Sequence, residues 1–281
     1  MEIRPCENND TEFLWEKGFE NVPTAEGAAQ ELLVFKVTDE NGAIIGGCVL
    51  DIDEMKTAEL DRLWVDGRRR GQGIGSALIR HAEREARKKD CRMMVVTYTF
   101  DFQNARKLFE RHGYRLIGTV KDWPKGHESY TLIKKIARDP SADPIDEGAF
   151  AIEAGSGEDG ELITDRLETY NRSFAPRSHA YLDIDKKIVD EKGNMIAGCI
   201  AGVSGWDTLY IDAFWVDERF RGSGIGAYLL EATEREAKEK GAYLSSTAGT
   251  DLQAAFFREH GYAVSVVFED EPKWYVLYKH L

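Results

Sequence analysis

The chain has 281 residues, 42% hydrophobic and 31% charged, which is long enough for two globular domains that each bury a core. The formal net charge of −13 argues against nucleic acid as a partner, and no apolar run approaches the roughly 20 residues of a membrane helix. The N-terminal MEIRPCENND lacks an apolar secretion segment, and the four cysteines form no CxxC pair. We therefore expect a cytoplasmic protein that binds no metal and buries Cys48 and Cys199 as thiols.

The acidic charge is concentrated in the second half of the chain. Residues 1–140 carry 23 basic against 24 acidic side chains, whereas the remainder carries 14 against 26. This excess is compatible with a cationic acceptor such as an amine, and equally with a solubilising surface.

The sequence contains a long internal repeat. Residues 60–89, beginning LDRLWVDGRRRGQGIG, align without a gap with 211–240, beginning IDAFWVDERFRGSGIG. Residues 37–50 match 188–201, and 103–114 match the slightly shorter 253–262. A repeat of this length predicts duplication of a complete domain. We place the domains at 1–138 and 148–281, with a Pro-containing linker at 139–147.

Each half is predicted to contain the same elements in the same order. An opening strand and a helix precede two strands joined by the turns DENG and DEKG, and a fourth strand ends in Trp-Val-Asp. A glycine-rich turn, an amphipathic helix, a fifth strand, a short helix and a closing hairpin complete one unit. This alternation indicates an α/β or α+β fold. The predicted ranges are 1–4, 11–19, 72–89, 93–99, 102–112, 114–120 and 128–136 in the first half, and 150–153, 161–170, 223–240, 242–247, 252–260, 262–268 and 273–280 in the second.

The glycine-rich turns are the most informative local feature. Three glycines at alternate positions in Arg70–Gly75 and in Arg221–Gly226 let backbone N–H groups approach an anion without interference from Cβ atoms. The N-terminus of the following helix favours a phosphate at the same point. The turns are neither P-loops nor dinucleotide fingerprints, because Gly-Lys-Ser/Thr and the G-x-G-x-x-G spacing are absent.

These residues in this context resemble the GNAT superfamily of acetyl-CoA-dependent N-acetyltransferases. Its motif Arg/Gln-x-x-Gly-x-Gly/Ala is met in both turns, and the resemblance covers nearly all of both halves. The D-x-P-x-G sequence at 122–126 matches the hairpin of small bacterial members, whereas the second copy, EDEPKWY, lacks that glycine. The resemblance implies two tandem GNAT-like domains, each a mixed, mostly antiparallel twisted sheet of about 6–7 strands flanked by helices.

The resemblance also implies a reaction. Acetyl-CoA is expected between splayed fourth and fifth strands, where a primary amine of a small molecule or exposed peptide attacks the thioester directly. A backbone N–H on the fourth strand is expected to steady the developing oxyanion. The implied cofactor-binding residues are Leu63, Trp64, Val65, Arg70, Gly71, Gln72, Gly73, Ile74, Gly75 and Asn104 in the first half, and Phe214, Trp215, Val216, Arg221, Gly222, Ser223, Gly224, Ile225 and Gly226 in the second.

Proton transfer requires further groups. Asp61 and Asp212 occupy the same repeat position on the fourth strand, and Glu59 lies on the same face as Asp61, so these carboxylates are the candidate bases. Solvated acids at a strand edge are the structural alternative.

The usual acid of the family is a tyrosine four residues before the glycine of the Gly-Tyr pair. Phe109 and Phe257 occupy those positions here. Tyr98 or Tyr130 could serve instead, or the thiolate could leave without a protein acid.

The two halves are not equivalent in these features. The first has the arginine triplet, Asn104 and the complete hairpin, so we expect it to bind acetyl-CoA while the second supplies a partner surface. The halves are expected to form an intrachain pseudo-dimer, within a monomer or a homodimer. The alternatives are a non-catalytic acyl-CoA-binding or regulatory protein, or one active domain beside one degenerate structural domain.

Overall fold

A computed structural model describes residues 2–18, 30–53, 55–98, 102–136, 150–269 and 273–281. The predicted linker at 139–147 lies outside these ranges. The chain folds into two compact units, which we call unit N and unit C. Unit N comprises Thr24–Gly118 and Ser129–Ala175, and unit C comprises Met1–Pro23, Thr119–Glu128 and Pro176–Leu281.

Six helices and fifteen strands are described, and their order repeats the predicted pattern. Their bounds agree with the predicted ranges to within a few residues. The first half contributes β1 (Glu2–Pro5), α1 (Asn8–Gly18), β2 (Glu31–Thr38), β3 (Ile44–Ile52), β4 (Thr57–Val65), α2 (Ile74–Lys88), β5 (Met93–Tyr98), α3 (Phe102–Arg111), β6 (Arg115–Lys121) and β7 (Glu128–Lys135). The second half contributes β8 (Glu153–Ala154), α4 (Gly157–Arg172), β9 (Leu182–Asp183), β10 (Lys186–Val189), β11 (Met195–Val203), β12 (Thr208–Val216), α5 (Ile225–Glu239), β13 (Leu244–Gly249), α6 (Asp251–Glu259), β14 (Ala263–Phe268) and β15 (Trp274–His280).

Unit N is built on a seven-stranded sheet in the order β6-β7-β5-β4-β3-β2-β8. The pair β4–β5 is parallel, whereas β2–β3, β3–β4 and β5–β7 are antiparallel. Helix α2 buries Ile74, Leu78, Ala82 and Ala86, at a spacing of four residues, against one face of the sheet. Helix α4 covers the opposite face, where Ile163 is completely buried.

Unit C repeats this arrangement. Its sheet runs β1-β10-β11-β12-β13-β15-β14, with β9 paired to β11, and β12–β13 is again the parallel pair. Helix α5 covers one face through Leu229, Leu230 and Ala237, and α1 covers the other through Leu14. The mixed, mostly antiparallel sheets confirm the predicted fold class, with seven and eight strands in place of about 6–7.

The opening strand and helix of each half lie on the sheet of the other half. Strand β1 pairs with β10 from Glu2↔Val189 to Pro5↔Lys186, and β8 pairs with β2 through Phe35↔Ala154. The sequence analysis placed each opening segment within its own half, so the compact units differ from 1–138 and 148–281. Those ranges stay a prediction for the duplicated unit.

The physical reason for this difference is that the two sheets offer equivalent docking positions. A Cβ atom on Gly47 would collide with Ile163 of α4, and one on Gly198 would collide with Leu14 of α1. Because Gly47 and Gly198 occupy the same repeat position, each sheet has an equivalent packing site for an opening helix.

Candidate active site

The parallel strands at the centre of each sheet separate after a short pairing. Among the described residues, β4 pairs with β5 only through Thr57–Glu59, and β12 pairs with β13 only through Thr208–Ile211. Beyond these points the strands run apart, so the ladder leaves the β5-side edge of Leu63–Val65 and the β13-side edge of Phe214–Val216 unpaired. An extended ligand with amide groups can pair with such an edge.

A glycine-rich turn follows each of these unpaired edges. Gly73 and Gly224 are the N-caps of α2 and α5, with φ of +93° and +85°, and neither helix has a side-chain cap. The first N–H groups of both helices are therefore available to a ligand. A Cβ atom added to Gly71, Gly222 or Gly224 would meet no heavy atom within 4 Å, so the turns face open space. This geometry fits the pyrophosphate of a coenzyme A ester.

The remaining motif positions have other roles in the structure. A Cβ atom on Gly75 would lie 3.5 Å from Leu108, and one on Gly226 would lie 3.2 Å from Phe256. These glycines therefore permit close packing on α3 and α6, while their backbone amides remain in the first turn. The Gln72 amide donates to the Arg68 carbonyl at 3.4 Å, so this side chain is held against the turn's own backbone.

The charge around the turn differs between the units. Residues 66–75 contain one carboxylate and three arginines, whereas 217–226 contain two carboxylates and two arginines. Arg219 donates two hydrogen bonds to Asp217, at 2.9 and 2.7 Å, and these bonds lower the pKa of Asp217 to about 2. Arg221 lies 3.6 Å from Glu218. The turn of unit N consequently offers more positive charge to an anion.

Arg70 is held against helix α4. Its guanidinium lies 4.3 Å from the centre of the Tyr170 ring, and its Nε donates to the Val65 carbonyl at 3.4 Å. Arg221 makes the equivalent backbone bond to Val216 at 3.1 Å. The stacking on Tyr170 orients the arginine of unit N beside the turn.

Both predicted aspartates lie at irregularities of the fourth strand. The register with β3 shifts so that Asp61 has no partner between Leu60 and Arg62, and Asp212 takes the same position between Ile211 and Ala213. Such a bulge turns the extra residue out of the ladder, and both aspartates are exposed. Asp61 forms an ion pair with Arg62.

Glu59 is the most strongly perturbed carboxyl near this bulge. It is paired across the strands with Asp51, so the two side chains share one face of the sheet. Burial raises the pKa of Glu59 to about 7, with further contributions from Asp61 and Asp51. The Gln30 amide donates to Asp51 at 2.9 Å, whereas the Glu59 carboxylate accepts no hydrogen bond from the described residues. A carboxylate with this pKa is suited to accept a proton near neutral pH.

In unit C a tyrosine takes the position of Glu59. Tyr210 lies edge-on to Trp123, with ring centres 6.3 Å apart, and the Tyr243 hydroxyl donates to the Asp122 carbonyl at 2.7 Å. The tip of the 122–126 hairpin therefore packs over this part of the β12 strand. Asp212 is exposed as a residue, yet its carboxyl group is partly desolvated, and this desolvation, and then Asp185, raise the pKa of Asp212.

The predicted acid positions are part of the core. Phe109 and Phe257 are buried and pack edge-on against Tyr114 and Tyr262. Burial raises the pKa of Tyr98, one alternative acid, to about 12, so its hydroxyl is a weak proton donor at neutral pH.

Two other predicted contacts have a clear structural setting. Asn104 is exposed on α3. The ring of Trp215 packs on Phe13 of α1, with centres 5.3 Å apart, and its predicted backbone pairing with the donor stays a prediction.

A cleft lies beside Asp61 between α4 and strands β2 to β4. Its volume is about 550 Å³. Its floor is apolar, and acidic side chains of α4 form one wall. The residues that line it are Leu32, Val34, Val49, Asp61, Arg62, Gly155, Ser156, Gly157, Gly160, Glu161, Thr164, Asp165 and Glu168.

The sequence analysis did not assign the α4 residues to this cleft. Their signal in the sequence is the acidic stretch GEDGELITDRLE at 157–168, which belongs to the acidic excess of the second half. The exchange of opening helices is what brings these acids next to Asp61.

The comparison with known proteins agrees with this geometry. The acetyltransferase (GNAT) family matches residues 3–114 and 152–262, so the chain belongs to this family and is an acetyltransferase with two copies of the family domain. The family uses acyl-CoA donors.

Several relatives are similar to one half of the chain. Blasticidin-S acetyltransferase of Streptomyces morookaense is 33% identical over 120 residues, which cover 43% of this chain and 87% of that protein. An uncharacterized N-acetyltransferase of Methanocaldococcus jannaschii is 30% identical over 95 residues, covering 32% of this chain and 42% of that protein. The crystal structure of an acetyltransferase from Bacillus cereus is 31% identical, with a TM-score of 0.43, covering 47% of this chain and 97% of that one.

Two further observations concern other classes of protein. None of the helices in the described ranges combines the length and the apolar character needed to cross a membrane. Within the same ranges, no group of three His, Cys, Asp or Glu side chains is placed to hold a metal ion.

Proposed function

We propose that unit N transfers the acetyl group of acetyl-CoA to a primary amine, and that unit C is a degenerate copy that supports it. One observation carries this proposal. In unit N the unpaired strand edge, the arginine-rich glycine turn, an open cleft and the Glu59 carboxylate, which accepts no hydrogen bond from the described part of the chain, all lie on or next to strand β4.

The donor would lie along the gap between β4 and β5. Backbone groups of Leu63–Val65 would pair with it, while the amides of Arg70–Gly75 and the Arg70 side chain would hold its pyrophosphate. When bound, acetyl-CoA supplies a thioester carbon that is open to attack. The acceptor would enter from the cleft on the α4 side of the same strand.

Glu59 would accept the proton of the acceptor ammonium. The neutral nitrogen would then form a bond to the acetyl carbon as the carbon–sulfur bond breaks. The nitrogen would lose its second proton to water, and water would supply a proton to the leaving thiolate. Asp61, neutralised in part by Arg62, would orient the amine beside Glu59. Holding both reactants on one strand supplies much of the rate, with about 10²–10⁴-fold from proton transfer.

Unit C lacks two parts of this arrangement. Asp217 and Glu218 neutralise the arginines of its turn, and Tyr210 stands where unit N has Glu59, under the Trp123 hairpin. Asp212 keeps the bulge position of Asp61. These observations favour one active unit over two.

The test is thiol release from acetyl-CoA across a panel of primary amines, with mass spectrometry of the products. We expect release that saturates with one chemical class of amine and yields the N-acetyl product. Stoichiometric acetyl-CoA binding without release by any amine would instead support a regulatory acyl-CoA-binding protein. The blasticidin-S acetyltransferase relative makes blasticidin S a suitable member of the panel.

A further inference from the structure

Helix α4 places two carboxylates in the cleft that the proposed reaction does not use. Glu161 and Asp165 are exposed and lie one helical turn apart, so their carboxylates project from the same face. Within the described ranges neither has an ion-pair partner, whereas Glu168, which also lines the cleft, pairs with Arg172 at 2.8 Å.

This pair is unfavourable in the free protein. Like charges four residues apart on a helix repel each other by a few tenths of a kcal/mol. Arg62, which also lines the cleft, forms its ion pair with Asp61. Within the described residues it forms none with Glu161 or Asp165. A cation placed between Glu161 and Asp165 would remove the repulsion.

The floor of the cleft adds a second requirement. Leu32, Val34 and Val49 line it with apolar surface. Helix α4 and the segment just before it approach Val34 closely because Gly155 and Gly160 have no Cβ atoms. An alkyl chain would bury its methylene groups there, at about 0.8 kcal/mol for each one buried. The cleft therefore combines an apolar floor with an acidic wall.

We propose that the acceptor of unit N is an aliphatic amine that carries a second cationic group, which Glu161 and Asp165 bind. The reacting amine lies beside Glu59 and Asp61, and the alkyl spacer lies on the floor of the cleft. This inference rests on the proposed function, which makes the cleft the acceptor site. It assigns to the second half of the chain the residues that select the substrate of the first half.

The test compares two acceptors that differ only in the second cation. Calorimetry at pH 8 on the full-length chain without acetyl-CoA measures the binding of 1,5-diaminopentane and of 1-aminopentane. We expect the diamine to bind about tenfold more tightly, and the double substitution E161Q/D165N to remove most of this preference. E158Q changes a carboxylate of the same helix outside the cleft and should keep the preference of the unmodified protein.

A purely structural role for the two acids predicts a different result. In our proposal E161Q/D165N lowers diamine affinity while its thermal stability stays the same or rises, because a repulsion is lost. Equal affinity of the unmodified protein for both amines, no diamine binding, or the same loss in E158Q would overturn the inference.

Turnover separates this inference from the proposed function. Acetyl transfer with equal KM for both amines would contradict the inference and leave the function standing. Diamine binding that depends on Glu161 and Asp165, without acetyl transfer to any amine, would contradict the function and leave the cation site standing.

Discussion

Units N and C share one fold and one glycine-rich turn, yet only unit N combines the turn with the other features of an active site. The backbone of the two turns is almost the same, with φ of +93° at Gly73 and +85° at Gly224. The difference lies in the side chains around it, where Glu218 and Phe220 replace Gly67 and Arg69 of unit N. The shared turn geometry thus reflects the duplication, and the proposed difference in activity rests on the side chains around the turn.

The acceptor side shows the same contrast. Unit N has Asp61 on an open cleft, with Glu59 two residues before it on the same strand, whereas unit C has Tyr210, at the position of Glu59, under a hairpin of the first half. Both contrasts can be tested with matched variants, because almost every position of one unit has a counterpart in the other.

Gly73→Trp and Gly224→Trp place the same side chain in the two turns. We expect G73W to lower kcat/KM for acetyl-CoA about 100-fold or more, because the indole occupies the pyrophosphate position, and G224W to lower it less than fivefold. Both variants force a bulky residue into positive φ at about 1–2 kcal/mol, so denaturant unfolding should show similar losses. The reverse order of the two activities would show that unit C binds the donor.

Glu59→Gln removes the proposed base. With Glu59 near pKa 7, kcat/KM should rise with pH through about 7 in the unmodified protein, because only the ionised carboxylate accepts a proton. E59Q should lower kcat/KM about 100-fold and abolish its rise with pH through about 7. An unchanged pH profile in E59Q would assign the proton transfer to another group.

The same substitution should raise stability at high pH. The pKa of Glu59 is raised from 4.5 to about 7, so folding favours the protonated form, and this contribution is complete below pH 4.5 and lost as pH rises through about 7. E59Q, which cannot ionise, should therefore be about 2 kcal/mol more stable than the unmodified protein at pH 8, with little difference near pH 4.5. Urea unfolding at the two pH values measures this effect, and an equal difference at both would contradict it.

Gly47→Ala and Gly198→Ala test the sites where the two exchanged helices, α4 and α1, pack on the sheets. Each added methyl group collides with the docking side chain, Ile163 or Leu14, and should cost about 1–3 kcal/mol in denaturant unfolding. Because α4 forms the cleft wall, we expect only G47A to raise the acceptor KM, by about tenfold. A similar rise in G198A would place the acceptor on unit C.

Glu218→Gly with Phe220→Arg gives the turn of unit C the charges of unit N. In a Gly73→Trp background, which blocks the other turn, we expect coenzyme A affinity to increase about fivefold at 50 mM salt and less at 300 mM, because the added charges are exposed and screened. Calorimetry measures both values. An affinity that does not respond to these charges would show that the backbone alone determines donor binding.

Much of the fold follows from the sequence because each element is present twice. The sequence predicted an amphipathic helix at 72–89, and in the structure α2 buries Ile74, Leu78, Ala82 and Ala86 on one face. The exchange of opening segments could not be inferred, since the packing sites at Gly47 and Gly198 are equivalent. The sequence does not distinguish whether α1 or α4 packs at each of them. Consequently the cleft and the stacking of Arg70 on Tyr170 were missed.

The candidate bases illustrate the same limit on a smaller scale. Strand alternation placed Glu59 and Asp61 on one face, but the raised pKa of Glu59 arises mainly from burial, with smaller contributions from Asp61 and from the cross-strand neighbour Asp51, and burial and register follow from the fold rather than from the residue pattern. The bulge at Asp61 likewise arises from the pairing of β3 with β4 and leaves no mark in the residue pattern. All the proposed site roles stay predictions for the experiments above.

The exchange of opening strands also sets an order for folding during synthesis. Glu2 pairs with Val189, so strand β1 cannot find its neighbour until the chain has been made as far as β10. The sheet of unit N needs β8, which follows much sooner after β2. Unit N can thus be complete while unit C is still being translated, and the first residues must stay unpaired in the interval. A chain truncated after residue 180 should therefore yield a protease-resistant unit N with an accessible N-terminus.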